Sequence, residues 1–471
     1  MLSRILRSSR LAAAIAVAAM AAPALAQAGA VPAPFHPTAD MVNKGDTSWM
    51  LISSALVLMM SVPGLALFYG GLVRSKNMLS VLMQVIMIVS ITTLMWVGWG
   101  YSMAFTGGNE FVGGLSKAFL KGVDATTLAA TFSNKVYLPE YAYVIFQMTF
   151  ACITPALIVG GLAERVKFWP LMLFIVLWST IVYYPIAHMV WYWAGPDFLP
   201  ANPNDHGFLF GKGALDFAGG TVVHINSGIA GLMGCLVLGK RLGYKVELMP
   251  PHSLPMTYIG ACLLWVGWFG FNAGSNLEAN GVTAVAFINT FVATASAALA
   301  WSLAEQIIHK KPSLLGAVSG AVVGLVAITP ASGYAAPITS IILGAVAAVF
   351  CFVFVTKVKN ALGYDDSLDV FGVHCIGGIV GALGTAFVAN PAWGGQGWMD
   401  YTVAPAVAGK FDLGAQIVSQ LWAIGTTLVW SGGVSLLLFL AIDKVIGLRP
   451  TAEAEREGLD INEHGERAYN F

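Results

Sequence analysis

The amino-acid sequence predicts an all-α integral membrane protein that crosses the bilayer eleven times. Hydrophobic residues make up 57% of the 471 residues and charged residues only 10%, whereas soluble domains usually carry about 25% charged residues. Eleven apolar windows approach the roughly 20 residues that a helix needs to span a bilayer. Two of these windows share a sequence pattern, which indicates an internal repeat. The 52 glycines also fit helices that pack closely in a membrane.

The N-terminus has the pattern of a secretory signal peptide. Arginines stand at positions 4, 7 and 10, and an alanine-rich apolar stretch follows them up to Ala26. The sequence Ala24-Leu25-Ala26 fits the small-residue rule for cleavage, so we predict that residues 1–26 are removed. The alternative is a retained first helix, which the short apolar run disfavours. Cleavage would leave the mature N-terminus outside the cytoplasm.

The apolar windows and the basic residues between them predict the orientation of the chain. The windows begin near Trp49, Leu79, Tyr141, Phe168, Phe217, Leu254, Gly281, Leu314, Pro337, Val370 and Gly414. Lysine and arginine concentrate in alternate connectors, and such residues favour the cytoplasmic side. We therefore expect an N-terminus outside the cytoplasm and a cytoplasmic C-terminus. Its membrane domain is predicted to cover residues 27–443, followed by a polar tail at 444–471.

Composition and spacing disfavour several classes of function. The formal net charge is zero, so nothing suggests a nucleic-acid partner. The five cysteines lie in apolar stretches without a CxxC pair, and we interpret them as reduced core residues. HxxxH and HExxH spacings are absent, so neither a metal site nor a catalytic residue is predicted. We expect no cofactor, and a membrane enzyme is the least favoured class.

The internal repeat lies in the fifth and tenth windows. Val223 to Gly234 and Val373 to Gly384 share the pattern V-H-x-x-x-G-I-x-G-x-x-G. A repeat unit of five helices is odd, so the second copy must be inverted in the membrane. Inverted repeats are typical of transporters whose substrate path lies at the repeat interface, near mid-membrane. We predict two inverted units, spans 1–5 and 6–10, plus an eleventh helix. The alternative of a chance match is disfavoured by the shared histidine.

The repeated histidines, His224 and His374, are the first candidate functional residues. Ionisable side chains inside a membrane are rare and usually face a cavity or a partner. The inverted repeat predicts that the two imidazoles approach each other near the centre, where neutral rings can donate and accept hydrogen bonds. Such a pair suits a small neutral polar solute or a proton relay. The alternative is two hydrogen-bonded core histidines, and that alternative is favoured for His188, which receives no site role.

Aspartates and tryptophans at the window ends allow two interpretations each. Asp216 can cap the fifth helix or lend negative potential to a cation site, and both remain open. Asp369 precedes the tenth window, where a helix cap is favoured. Trp191 and Trp193 end the fourth window, where tryptophan usually forms an interfacial belt. They can also bind a cation through the ring face, but the pattern alone favours the belt.

Four segments together resemble the Amt/Mep/Rh ammonium transporters, and the bacterial Amt branch most of all. They are AHMVW at 187–191, DFAGGTVVHINSG at 216–228, GWFGFNAGS at 267–275 and FGVHCIGGIVG at 371–381. The resemblance extends from about Trp49 to the C-terminus. It implies a homotrimer with one pore in each subunit. It also implies ammonium or ammonia as the substrate, and leaves open how far methylammonium is accepted.

The resemblance also implies roles for individual residues. The family's outer ammonium site maps onto Trp191, Ser275 and Phe150, and its stacked gate onto Phe150 and Phe271. The twin histidines of the pore map onto His224 and His374, the essential aspartate onto Asp216, and polar or pore-lining positions onto Gln147 and Trp268. The belt interpretation is thereby reversed for Trp191 but not for Trp193. This chain departs from the branch in a long 192–215 segment, in Met148-Thr149 beside the gate and in Leu368.

The polar tail has two interpretations. From composition alone, residues 444–471 are compatible with a disordered segment. The strings EREGLD and HGERAYN resemble the Amt regulatory tail, which packs against the cytoplasmic face. The resemblance further implies a PII-type signal protein as the partner that blocks the cytoplasmic pore exit. Membrane lipid and further copies of the chain are the other expected partners.

These observations converge on one expected function with stated alternatives. We expect an ammonium transporter that takes NH4+ from the periplasmic side, deprotonates it and conducts NH3 through a hydrophobic pore. The proton is expected to cross separately. The alternatives are an electroneutral gas channel of the Rh type, passing NH3 or CO2, and an ammonium sensor.

Overall fold

The computed structural model describes residues 36–470, and within this range eleven helices are long and apolar enough to span a membrane. They are α1 (Lys44–Leu72), α2 (Ser75–Phe105), α3 (Glu140–Leu162), α4 (Phe168–Trp191), α5 (Gly220–Leu238), α6 (Leu254–Gly274), α7 (Gly281–His309), α8 (Leu314–Ala331), α9 (Pro337–Leu362), α10 (Phe371–Val388) and α11 (Leu413–Ile446). The predicted number of spans is confirmed. The predicted signal peptide lies outside the described residues.

Polar residues extend several helices beyond their apolar windows. The α1 helix begins at Lys44 rather than near Trp49, because the Asn43 side chain accepts hydrogen bonds from the amides of Gly45 and Asp46. An asparagine in this position satisfies amides that have no partner within the helix. Hydropathy alone does not detect such a polar first turn.

The inverted repeat is visible in the packing of α5 against α10. The two helices run in opposite directions, and each brings a repeat glycine against the other. A Cβ on Gly228 would lie 2.4 Å from the amide nitrogen of Cys375, and a Cβ on Gly378 would lie 2.9 Å from Ile225 Cγ1. Both contacts join repeat-equivalent positions, so they are reciprocal. Small residues thus allow the two backbones to approach closely.

Wide π-helical turns interrupt several spans. In the described part of the chain they are Met60–Leu65, Trp96–Gly100, Ser179–Tyr183, Gly220–Ile225, Phe354–Val358 and Phe371–Cys375. Such turns are rare and often mark functional positions. Two of them contain the repeated histidines, His224 and His374, at equivalent places in α5 and α10.

The connectors divide between two faces of the bundle. We call the end that carries the tail the tail face, and the opposite end the loop face. The loop face carries two small hairpins, β1 (Leu128–Ala130) with β2 (Tyr137–Pro139) and β3 (Met399–Asp400) with β4 (Val407–Ala408). It also carries one turn of helix at Phe208–Gly211.

The polar tail packs against the tail face. It forms two short helices, α12 (Ala452–Glu457) and α13 (Leu459–His464). The Asp460 carboxylate accepts hydrogen bonds from the amides of Leu79 (3.0 Å) and Ser80 (2.8 Å), in the first turns of α2. Glu463 similarly accepts from the Phe168 amide that begins α4, at 3.1 Å. The tail therefore satisfies the free amides of two spanning helices, and the disordered alternative is not what the structure shows.

Candidate functional site

Five aromatic or imidazole rings form a continuous chain from the loop-face end of α4 into the middle of the bundle. The Trp191 ring meets Phe150 edge-on at 5.7 Å, and Phe150 stacks on Phe271 at 4.2 Å between ring centroids. Phe271 lies 6.1 Å from His224, which lies 5.3 Å from His374. The helices α3, α4, α5, α6 and α10 supply these side chains. The spacing of the residues in the sequence does not by itself predict that these helices are neighbours.

The two phenylalanines close the path on its loop-face side. Phe150 and Phe271 are 1% and 0% exposed, and their rings are tilted by only 29°. A centroid separation of 4.2 Å leaves no room for a water molecule between the rings. Gln147 lies one helical turn before Phe150 and is buried. Its Oε1 atom has no hydrogen-bond partner within residues 36–470, so it is a free acceptor beside the gate.

The two histidines contact each other directly. Their Nδ1 atoms are 3.3 Å apart, and the rings are nearly parallel at 17°. In a hydrogen bond between two Nδ1 atoms, one ring must donate and the other must accept. The accepting ring is therefore neutral, and its proton lies on Nε2. Within the described residues the buried Nε2 atom of His224 has no partner, so it is available to a solute.

A narrow cavity lies beside the histidines, on the far side of the gate. Both imidazoles line it, together with Trp268 and apolar side chains such as Leu264 and Val322. The space open to the centre of a water-sized sphere is about 10 Å³, which corresponds to roughly one molecule. Trp268 stacks on His224 at 5.4 Å, while its Nε1 donates to the Thr329 hydroxyl at 2.9 Å. The cavity wall is therefore apolar except for the histidines.

Asp216 caps the N-terminus of α5. Its two carboxylate oxygens accept hydrogen bonds from the amides of residues 219–222, at 2.6–3.2 Å, and from the Thr221 hydroxyl. The backbone carbonyl of Asp216 accepts from Trp191 Nε1 at 2.9 Å. One residue thus fixes both the start of the helix that carries His224 and the orientation of the outermost ring.

The equivalent cap on α10 is Asp366, not Asp369. Asp366 Oδ2 accepts from the amide of Phe371 at 2.7 Å, whereas Asp369 pairs with Lys359 at 2.6 Å. The predicted capping role for Asp369 is therefore wrong. Asp366 stands eight residues before His374, as Asp216 stands eight residues before His224. The repeat therefore identifies Asp366, by position, as the equivalent of Asp216. Burial raises the pKa of the Asp366 carboxyl to about 6, although Lys359 opposes the shift.

The remaining predicted residues lie around the loop-face end of the path. Ser275 ends α6 one turn after Phe271, and its hydroxyl donates to the Phe271 carbonyl at 2.8 Å, which leaves its oxygen free to accept. The Trp193 ring packs between those of Phe132 (5.8 Å) and Tyr401 (4.7 Å), and its place in an interfacial belt stays a prediction. His188 is buried, with its ring nitrogens 3.0 and 2.8 Å from backbone carbonyls, in keeping with a core role.

A buried charge network holds the connectors of the tail face together. Arg241 contacts both Glu164 (3.1 Å) and Asp365 (2.9 Å), and Arg74 adds a second contact to Glu164 at 2.7 Å. Burial works against both charged carboxylates, but the guanidinium groups hold the pKa of Glu164 and of Asp365 below their ordinary values. In the sequence, these basic residues indicate only the orientation of the chain, and no spacing pattern identifies their acidic partners Glu164 and Asp365.

Comparison with known proteins assigns a common origin to most of the chain. The family model described as Ammonium Transporter Family matches residues 48–469. An ammonium transporter of Bacillus subtilis (strain 168) is 44% identical over 429 residues, which cover 91% of this chain and 99% of that protein. An ammonium transporter of Aquifex aeolicus (strain VF5) is also 44% identical, over 91% of this chain and 94% of that one.

Solved structures agree with the sequence comparison. The crystal structure of Saccharomyces cerevisiae Mep2 matches with a TM-score of 0.75 and 32% identity, covering 88% of this chain and 92% of that one. A structure described as a sensor Amt protein matches with a TM-score of 0.78 and 25% identity, over 89% and 98% of the two chains. The residues that the family model matches, 48–469, contain the five rings of the path.

Proposed function

The chain belongs to the ammonium transporter family, a family of membrane transporters rather than enzymes, and we propose that it moves ammonium by deprotonating it at the ring path. In this proposal NH4+ is held at the outer end of the path, NH3 passes the gate and the histidines, and the proton crosses separately. The observation that carries the proposal is the Phe150–Phe271 stack immediately before the His224–His374 pair. A closed apolar gate followed by a hydrogen-bonded pair of imidazoles suits ammonia better than a hydrated cation.

The outer end of the path offers a site for the cation. The faces or edges of Trp191 and Phe150 meet there at 5.7 Å, and each ring face can attract a cation by about 0.5–2 kcal/mol. The Ser275 oxygen can accept one of the four N–H bonds of ammonium. The Asp216 carboxylate adds negative potential, although its oxygens are already bound to helix amides and so do not bind the cation directly.

The gate is where the proton is lost in this proposal. An ion that enters an apolar, water-free space loses its hydration, and this strongly disfavours the charged form. Ammonium can respond by releasing a proton, whereas sodium and potassium have none to release. The stacked rings of Phe150 and Phe271 therefore select ammonium over sodium and potassium by its ability to lose a proton, as well as by size. Gln147 Oε1 lies beside the gate as a hydrogen-bond acceptor for the ion before it is deprotonated.

The histidines then replace the hydration that ammonia has lost. His224, whose Nε2 atom has no partner among the described residues, lines a cavity that holds roughly one molecule of this size. Ammonia can both donate and accept, so it fits either tautomer of the pair. The Nδ1–Nδ1 contact of 3.3 Å also lets a proton pass from one ring to the other if both rings exchange tautomers. This contact supports the separate proton route.

Two alternatives stay open beside this mechanism. An electroneutral channel of the Rh type would use the same cavity for NH3 or CO2 without moving charge. An ammonium sensor would use binding at the outer site to change the conformation of the tail face. The similarity to a structure described as a sensor Amt protein is the observation behind this alternative. The buried gate favours neither, because both would pass or sense a small molecule at the same place.

We further propose that the loop face is periplasmic and the tail face cytoplasmic, in a bacterial inner membrane, after removal of residues 1–26. The basic connectors on the tail face support this orientation. A homotrimer with one pore per subunit is proposed from membership of the ammonium transporter family. Apolar side chains that α1, α6 and α7 leave exposed, such as Leu51 (49%), Ile259 (52%) and Ile307 (69%), are available to pack against another copy or against lipid.

The tail is proposed to be a regulatory segment that works with a PII-type signal protein at the cytoplasmic pore exit. Its contacts to the first turns of α2 and α4 support this, because they couple the tail to two spanning helices. We expect the immobilised full chain to retain a PII protein from a lysate of nitrogen-replete cells, identified by mass spectrometry. Beads carrying an unrelated membrane protein are the control. Repeated failure to recover any PII protein would contradict the proposal.

Current measurement in liposomes tests the proposed transport. The purified chain is reconstituted, adsorbed to a solid-supported membrane and exposed to a pulse of ammonium. We expect a sustained and saturable current with ammonium and none with potassium, because potassium cannot lose a proton at the gate. An equal current with both ions would contradict the proposed selection step.

A further inference from the structure

A groove that the ring path does not use runs along the exposed side of α11. It has a volume of about 590 Å³ and is formed by side chains of α11 between Val418 and Trp430. Trp422 and Trp430 are its two walls, and Gly425 lies on its floor between them. An added Cβ on Gly425 would meet no atom within 4 Å, so the absence of a side chain leaves the space open. Both tryptophans are substantially exposed, at 50% and 42%.

Both walls of the groove are held by contacts to other elements. The Trp430 indole nitrogen donates to the carbonyl of Ile181 at 3.1 Å. Ile181 belongs to the π-helical turn Ser179–Tyr183 of α4, where the helical bonding pattern is irregular. Trp422 meets the ring of Phe208 edge-on at 6.0 Å. The groove is therefore a built feature with fixed walls, because each tryptophan is oriented by a partner outside α11.

A cation stands at the loop-face rim of the groove. Lys212 places its Nζ atom 5.6 Å from the ring centroid of Trp422 and 5.2 Å from that of Phe208. Lys212 is exposed, and it forms no ion pair with any residue of the described range 36–470. The site thus combines an apolar groove along the surface of a membrane-spanning helix with one unpaired positive charge at the end of that groove.

We propose that this groove binds an anionic glycerophospholipid, with an acyl chain on Gly425 between the two tryptophans and the phosphate at Lys212. An exposed side of a membrane-spanning helix meets hydrocarbon in a bilayer, so an acyl chain is an available apolar occupant of the groove. Trp and Lys at the membrane interface match the level of a lipid headgroup. A protein helix in the groove would leave Lys212 without an anion, which disfavours a second copy of the chain as occupant. The proposal does not depend on the transport mechanism.

Lipid titration of the full chain in detergent, read by native mass spectrometry, tests the proposal. The probes are palmitoyl-oleoyl phosphatidylglycerol and phosphatidylcholine with the same acyl chains. We expect the first lipid to bind about fivefold more tightly at one site per chain, since a lysine near the surface contributes about that much. Lys212→Gln is expected to remove this preference. Gly425→Leu fills the groove and is expected to weaken binding of both lipids by roughly tenfold.

Two matched variants serve as controls. Lys410→Gln removes another exposed loop-face lysine, and Gly433→Leu adds a side chain to an open position on the same helix outside the groove. Both are expected to bind lipid as the unmodified chain does. Equal phosphatidylglycerol binding by the Lys212→Gln and unmodified chains would overturn the proposal. A Gly425→Leu variant that forms smaller oligomers but binds lipid as before would also overturn the proposal, because the groove would then be an interface between copies of the chain.

Discussion

In the Asp216→Ala variant, the ammonium-evoked current falls by at least about tenfold, because roughly 1.4 kcal/mol lost at the site corresponds to that factor. Four backbone amides at the start of α5 lose their acceptor, while the backbone carbonyl that accepts from Trp191 is retained. Loss of a helix cap alone costs about 0.5–2 kcal/mol. The variant also removes the negative potential at the outer site. Current after an ammonium pulse, at matched protein density, measures the effect.

Two further variants separate the cap from the charge. Asp412→Ala removes the aspartate cap of α11 on the same face, far from the ring path, and should keep its current while losing some thermal stability. Asp216→Asn keeps one acceptor oxygen but no charge, and should lie between the alanine variant and the unmodified chain. An Asp216→Ala variant with undiminished current would contradict the assigned role of this residue.

Replacing both His224 and His374 with leucine is expected to remove at least nine-tenths of the selective current. Leucine offers ammonia no hydrogen bond, and an uncompensated polar group in an apolar space costs about 1–3 kcal/mol by protein mutational data. The Nδ1–Nδ1 contact that supports the proton route is also lost. Any flux that persists should then move without charge. The measurement is current together with internal pH in the same liposomes.

The matched control for the double variant is His188→Leu. This third membrane histidine is buried, with its ring nitrogens 3.0 and 2.8 Å from the carbonyl oxygens of Ala104 and Asn109. We expect the control to melt at a lower temperature but to keep its preference for ammonium over potassium. Undiminished and still selective transport by the His224→Leu, His374→Leu double variant would rule out the proposed role of the pair.

Hydropathy and the repeat pattern were sufficient for the architecture. The bilayer demands long apolar helices whose amides bond internally, so eleven windows translate directly into eleven spans. The shared histidine and glycine positions placed α5 against α10, and the reciprocal glycine contacts agree. Helix starts were less accurate, as at Lys44, because a polar first turn held by Asn43 has no hydropathy signal.

The details of the site needed the structure. Residue spacing places Phe150, Phe271 and His224 on three different helices, and only tertiary packing aligns their rings. The resemblance supplied the residue roles, while the geometry supplied the tautomeric pairing and the single-molecule cavity. Asp366 was missed because Asp369 lies nearer to the tenth apolar window, although the eight-residue register favoured Asp366. The π-helical turns that carry both histidines have no known sequence signal here.

Charge movement and internal pH, recorded together in liposomes after an ammonium pulse, test most directly whether a proton crosses along with ammonia. Ammonia that enters alone takes up a proton inside and makes the interior alkaline. If the proton crosses as well, the interior stays close to its starting pH while current flows. The account predicts an ammonium current, no potassium current and little alkalinisation. Rapid alkalinisation without any current would contradict it and would favour the electroneutral gas channel.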